Sequence, residues 1–162
     1  MVISTRPDIR STHKTQPEDK AESKTLEPSR RSHVLLVEDD GEMRRMLAFV
    51  LTRHGFRVTQ VCDGSEALEY LGDVVLGGNR DKVPHLLLTD QRMPGFCGLD
   101  VIEASRLTGL NIPAILITAF GDSETHERAA ALGATPVLDK PFAMLELVAL
   151  ARRLAPGETF LD

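Results

Sequence analysis

Apolar positions in this chain come in short continuous runs, and each run stops at a polar residue. Val34-Leu35-Leu36-Val37 runs into Glu38-Asp39, Leu86-Leu87-Leu88-Thr89 into Asp90, and Ala114-Ile115-Leu116-Ile117 into Thr118. A shorter run, Val137-Leu138, leads to Asp139-Lys140-Pro141. Runs of this length separated by helix-length segments predict buried parallel strands at about 33–37, 85–89, 113–117 and 136–138. Arg57-Val58-Thr59-Gln60-Val61 alternates instead, which predicts a half-exposed edge strand. Between the strands the period changes to that of a helix. Met43, Met46, Leu47, Val50 and Leu51 fall on one face of a helix at about 41–54, which Gly55 ends. Asp63 with Glu66 three residues on opens a second helix that runs to about Leu71. Residues 72–84, with Gly77-Gly78-Asn79, read as a longer connection. Further helices are expected at about 98–107 (Leu99, Val101, Ile102), 123–131 (Ala129, Ala130, with Leu132 beyond) and 142–154 (Phe142, Leu145, Leu147, Val148, Leu154). Asp122 can cap the fourth of these, whose apolar payload is thin.

Five strand–helix units in about 125 residues fit a single doubly wound α/β domain. The two polar-tinged strands, second and fifth, belong at the edges, and the apolar first, third and fourth belong in the middle. Strand order 2-1-3-4-5, with helices on both faces, satisfies this with right-handed crossovers. The switch point then lies between the first and third strands, at their C-terminal ends. Glu38, Asp39 and Asp90 meet there, with Thr118 and Lys140 at the neighbouring strand ends.

Composition bounds the rest. The chain has 162 residues, enough for one domain plus a tail. Residues 1–32 are rich in Ser, Thr, Pro, Lys and Glu and hold no aromatic residue, so a disordered tail is expected there, and a short C-terminal tail at 156–162. The tail carries seven basic and five acidic residues; the remainder carries twelve basic and nineteen acidic. An acidic domain lacks the electrostatic footprint of a DNA-binding protein, and the small basic excess of the tail does not supply one. No apolar stretch approaches the ~18 residues that span a membrane, and the N-terminus has no signal-peptide apolar region. The two cysteines, Cys62 and Cys97, suggest no disulfide framework, and a cytoplasmic location is the simple expectation.

Crowded carboxylates stay ionised together only beside a cation, and oxygen ligands select hard Mg²⁺ or Ca²⁺. Mg²⁺ commonly takes one or two carboxylates, keeps waters and accepts a phosphate oxygen. Glu38, Asp39 and Asp90 suit that role. A plain alternative is that Glu38-Asp39-Asp40 is an acidic cluster at a helix N-terminus. A carboxylate at a strand end can also attack phosphorus to form an aspartyl-phosphate, and Asp90, ending the central strand, is the candidate. Lys140 can pair with a phosphoryl oxygen and Thr118 can donate a hydroxyl to another.

Val34–Asp39 with Met43-Arg44-Arg45, Leu87–Gly95 containing Asp90-Gln91-Arg92-Met93-Pro94, Ile117-Thr118-Ala119, and Lys140-Pro141-Phe142 together resemble the receiver domain of two-component response regulators. The resemblance covers about residues 33–155. It implies a flavodoxin-like fold, Glu38 and Asp39 as the acidic metal pair, and Asp90 as phosphoacceptor and third metal ligand. It also implies the backbone carbonyl of Arg92 as a further Mg²⁺ ligand, Thr118 as switch hydroxyl, Lys140 as the phosphate-contacting lysine, and a cis peptide at Lys140-Pro141. The phosphoryl donor would be a histidine kinase or a histidine phosphotransfer protein. The domain would be a signalling phosphoacceptor, catalysing only its own phosphorylation and dephosphorylation.

Two departures from the family pattern stand out. Glu38 takes a position where Asp is more usual, and Val137 takes that of an aromatic switch residue. The chain stops at Asp162, eight residues after Leu154, so the expectation is a stand-alone receiver. Its output would pass through a downstream target protein or a phosphorelay. Arg44, Arg45 and the loops near Pro94 and Phe142 surround the expected site and are candidates for a partner surface. Two rival readings remain. One is a receiver-like module that is never phosphorylated. The other is a Mg²⁺-dependent phosphatase with an Asp nucleophile, which would want a second Asp where Arg92 stands.

Overall fold

A computed structural model describes residues 31–119, 123–133 and 136–156. One sheet holds five parallel strands: β1 (His33–Val37), β2 (Arg57–Val61), β3 (Leu86–Asp90), β4 (Ala114–Thr118) and β5 (Val137–Asp139). Their spatial order is β2-β1-β3-β4-β5. Every residue of β1, β3 and β4 is buried, whereas β2 and β5 lie at the edges and are partly exposed. The polarity of each strand thus set its place, because a central strand is covered on both faces.

Alternate strand residues feed two cores. Val34, Leu36, Leu86, Leu88, Ile115 and Ile117 pack with α1 (Gly41–Arg53) and α5 (Met144–Leu154). Leu35, Val37, Leu87, Ala114 and Leu116 pack with α2 (Gly64–Gly77), α3 (Gly98–Leu107) and α4 (Ser123–Ala131). The sequence therefore yields the expected flavodoxin-like sandwich, with helices on both faces of the sheet.

Several details differ from the sequence expectation. α2 continues past Leu71 to Gly77, because Val74 is still core-facing and Gly72 is tolerated in a helix whose inner face stays apolar. It stops where Gly78 adopts a left-handed conformation (φ 60°). Asn79 then caps a single 3₁₀ turn at Arg80–Lys82, inside the stretch expected to be irregular. In α1 the inner face is Leu47, Ala48 and Leu51, and Met46 is 43% exposed. In α4 Ala129 is buried and Ala130 exposed. α5 begins at Met144, after Pro141 and the extended Ala143, and Leu145 points outward while Leu147, Val148 and Ala151 are buried. The readings made for residues 1–30, Asp122 and 157–162 lie outside the described residues.

The N-terminal ends of the strands carry a buried polar contact that the pattern did not announce. His33, 1% exposed, brings its Nε2 within 2.8 Å of the Thr59 hydroxyl, and its backbone N–H donates to His85 Nδ1 at 2.9 Å. Its ring meets Tyr70 edge-on, and the Tyr70 hydroxyl donates to the Lys82 carbonyl at 2.8 Å. Burial foremost, helped by the nearby Arg57 and His85, lowers the His33 pKa to about 4, so the ring is held neutral.

Candidate functional site

The opposite end of the sheet gathers the charged strand ends. β1 stops at Val37 and delivers Glu38 into the interior, 2% exposed, with Asp39 and Asp40 exposed after it. The turn is fixed locally. Asp40 caps α1, its Oδ1 accepting from the N–H groups of Glu42 (2.9 Å) and Met43 (2.8 Å). The Asp40 N–H donates back to Glu38 Oε1 at 3.2 Å, and the Arg44 guanidinium donates to the Glu38 carbonyl at 2.7 Å. Asp90 ends β3 beside it, 5% exposed. One carboxylate oxygen from each of Glu38, Asp39 and Asp90 lies within 4.8 Å of the others.

Asp90 is held from two sides. Its Oδ1 accepts from Lys140 Nζ at 3.0 Å, and its Oδ2 accepts from the Arg92 N–H at 2.8 Å. Lys140 follows β5 directly and lies 3.7 Å from Glu38 Oε2. Its backbone N–H donates to the Thr118 carbonyl at 2.8 Å, joining the ends of β4 and β5. Thr118 is buried at the end of β4, one residue beyond the register partner of Asp90. The Lys140-Pro141 peptide is cis, as expected. The residues singled out by the sequence therefore come together at one end of the sheet. Arg92 is joined to the cluster through its backbone N–H, which donates to Asp90.

Glu38 is the costly member of the cluster. Burial first, then the charge of Asp90, raises its pKa to about 7, against the lowering pull of the Asp40 N–H and Lys140. Glu38 Oε2 is buried without a hydrogen-bond partner. An ionised carboxylate left that way is expensive, and a hard cation among these oxygens would satisfy it. Lys140 answers part of the negative charge. Burial pulls its pKa down, but the hydrogen bond to Asp90 and the charges of Asp90, Glu38 and Asp39 outweigh this and hold it above the usual lysine value.

Two glycines support the site and escaped the sequence reading. A Cβ at Gly98 would fall 2.4 Å from the Asp90 carbonyl oxygen and 2.7 Å from Leu116 Cδ1, so α3 can start against β3 only with glycine there. A Cβ at Gly64 would meet the Phe96 carbonyl at 2.4 Å. Gln91 adds a clasp, its carbonyl accepting from the Gly98 N–H (3.2 Å) and its side-chain oxygen from the Leu99 N–H (3.1 Å). Cys97, half-buried, opens α3, and its backbone N–H donates to Asp100 at 2.9 Å. Burial, with Asp100 close by, raises its thiol pKa, which suits packing rather than reactivity.

A parallel 2-1-3-4-5 sheet with three clustered carboxylates and a lysine at its C-terminal edge defines an Asp phosphoacceptor domain of the two-component type. The family model for the response regulator receiver domain matches residues 34–152, and the chain belongs to that family. It is 37% identical over 141 residues to the alkaline phosphatase synthesis transcriptional regulatory protein SphR of Synechococcus elongatus, covering 85% of this chain and 55% of that one. It is 33% identical over 129 residues to the phosphate regulon transcriptional regulatory protein PhoB of Klebsiella pneumoniae, covering 76% and 53%. The chain thus spans about half the length of these curated relatives. Among solved structures it is similar to Vibrio cholerae chemotaxis protein CheY4, with a TM-score of 0.65 at 27% identity over 76% of this chain and 98% of that one. The crystal structure of FixJ-N aligns with a TM-score of 0.65 at 30% identity, over 76% and 93%. The receiver domain at residues 34–152 is a signalling phosphoacceptor rather than an enzyme, and receivers partner with histidine kinases. Among the described residues no helix is long and apolar enough to cross a membrane.

Proposed function

We propose that Asp90 takes a phosphoryl group from the phosphohistidine of a histidine kinase or a histidine phosphotransfer protein. An Asp90 carboxylate oxygen attacks phosphorus, the P–N bond to the imidazole breaks, and the electron pair leaves on the histidine nitrogen. Glu38, Asp39, Asp90 and the Arg92 carbonyl would hold Mg²⁺, which when bound neutralises the carboxylates and the incoming phosphoryl oxygens. The chain's own residues do the positioning. Lys140 and the Arg92 N–H fix the Asp90 carboxylate before reaction. Lys140 offers its ammonium to a phosphoryl oxygen afterwards, and Thr118 offers its hydroxyl to another. The added charge redistributes these contacts, and the two-state shift that follows is read by a downstream protein.

The observation that carries this reading is the three-carboxylate cluster with Lys140 Nζ 3.0 Å from Asp90. Incubation with a phosphohistidine donor and Mg²⁺ should add one phosphoryl group by intact mass. Asp90→Asn should abolish it, and chelation of Mg²⁺ should suppress it. Full labelling of the Asn variant would refute the assignment.

A further inference from the structure

Helix α4 is fastened differently from its neighbours. Among its described residues Ala129 alone is buried, so little apolar surface anchors it. Two polar contacts reach it from α3 and β5. Arg106 Nε on α3 donates to the Leu132 carbonyl at 3.0 Å, just past the C-terminal end of α4. Near the middle of the helix, His126 Nε2 stands 3.4 Å from Asp139 Oδ2 on β5, and both side chains are about half exposed.

The place of Asp139 gives that second contact its interest. Asp139 is the register partner of Thr118 and directly precedes Lys140. Lys140 in turn sits 3.0 Å from Asp90. An unbroken path therefore runs from the reacting carboxylate through Lys140 and one peptide unit to Asp139, then across to His126 in α4. β5 has no aromatic side chain to relay a change by reorienting its ring, since it reads Val137-Leu138-Asp139. α4 is also the covalent bridge between β4 and β5, whose ends carry Thr118 and Lys140.

We propose that His126 and Asp139 form a positioning pair that couples the phosphorylation state of Asp90 to the placement of α4. This rests on the reading of Asp90 as phosphoacceptor and goes beyond it, assigning a role to two residues outside the reacting cluster. When a phosphoryl group draws Lys140 and Thr118 toward it, the end of β5 shifts, and the pair transmits the shift to a helix that few apolar contacts oppose. An exposed pair adds little to global stability. A contact so weak is still enough to bias a population between two placements of a thinly anchored helix.

The test is to load the full chain with beryllofluoride and Mg²⁺ as an acyl-phosphate analogue. Occupancy is followed by ¹⁹F NMR and α4 by amide hydrogen exchange over residues 123–131. The wild-type helix should change its exchange rates on loading. His126→Ala and Asp139→Asn should bind the analogue and unfold at the wild-type temperature, yet the α4 response should shrink about threefold or more. His126→Lys, which places a permanent cation opposite Asp139, should restore it. An undiminished response in the loaded Ala and Asn variants would overturn the coupling, as would an α4 that never responds in the wild type. Loss in both variants without rescue by Lys would overturn the charge pairing. Failure of the wild type to bind the analogue has its own signature, an absent ¹⁹F signal, and would remove the phosphoacceptor reading together with the coupling.

Discussion

Helices α3 and α4 sit on the same face of the sheet, and each leaves a strand end that bears on Asp90. α3 buries Leu99, Val101, Ile102 and Ser105, and its first residue, Gly98, has its Cα so close to the Asp90 carbonyl that no Cβ fits. α4 buries Ala129 among its described residues, and its ties include a guanidinium at one end and a His–Asp contact in its middle. A fully buried Leu or Ile contributes ~1.5–3 kcal/mol, and an exposed ion pair ~0–1. The side of Asp90 that must keep its geometry is therefore packed, and the side that must report a change is pinned by contacts that can be exchanged. Local stability is unevenly spread, and the low end falls where motion is useful.

The sharpest way to break this contrast is to weaken the packed side. Ile102→Ala should cost ~2–5 kcal/mol, the usual range for a cavity in a tight core, read as a lower midpoint in urea unfolding. An effect below ~1 kcal/mol would mean that α3 is not the rigid partner described.

Acid supplies a second perturbation, loading neither helix. His33 keeps a folded-state pKa of about 4 against an unfolded value near 6.5. The unfolded chain thus binds the extra proton over that interval, and folding stability falls with it. The contribution is whole above pH ~6.5, declines as pH drops toward 4, and amounts to at most ~3 kcal/mol. His33→Gln should flatten that part of the pH–stability curve, measured by urea unfolding. An unchanged slope would remove His33 as its source.

Arg106→Ala should have the smallest global effect, ~1–2 kcal/mol, since it removes hydrogen bonds from a charged donor to the carbonyls of Leu132 and Ile112. Its signature is local: exchange should rise at the C-terminal end of α4 more than in α3. Equal loosening of both helices would contradict the division between them.

Much of this was legible in the chain because the two strongest signals coincide. A continuous apolar run says that a strand is central, and the polar residue that stops it marks the crevice, so Glu38, Asp39, Asp90, Thr118 and Lys140 could be named before their meeting was seen. What stayed hidden depends on approaches between distant segments. The glycine at position 98 looks like any helix start until the Asp90 carbonyl is placed against it. His33 and His85 lie 52 residues apart and are joined by strand pairing. His126 and Asp139 sit on separate elements, and no periodicity links them. Met46 and Leu145 fall among apolar neighbours, and the sequence pattern alone places them on the inner faces. The helices turned instead on Leu47, Ala48 and Leu51, and on Leu147, Val148 and Ala151, leaving both outside.

The clasp around Gln91 has a consequence for anyone who would redesign the segment between β3 and α3. With Gly98 and Leu99 both fastened to Gln91, residues 92–97 form a hoop whose two feet are nailed side by side. New letters fit best at its exposed crest, Pro94, because the Arg92 N–H holds Asp90, Met93 is buried and Gly95 has a positive φ. A residue added or removed near that crest has to be absorbed as an outward bulge or a tightened bend between the two feet.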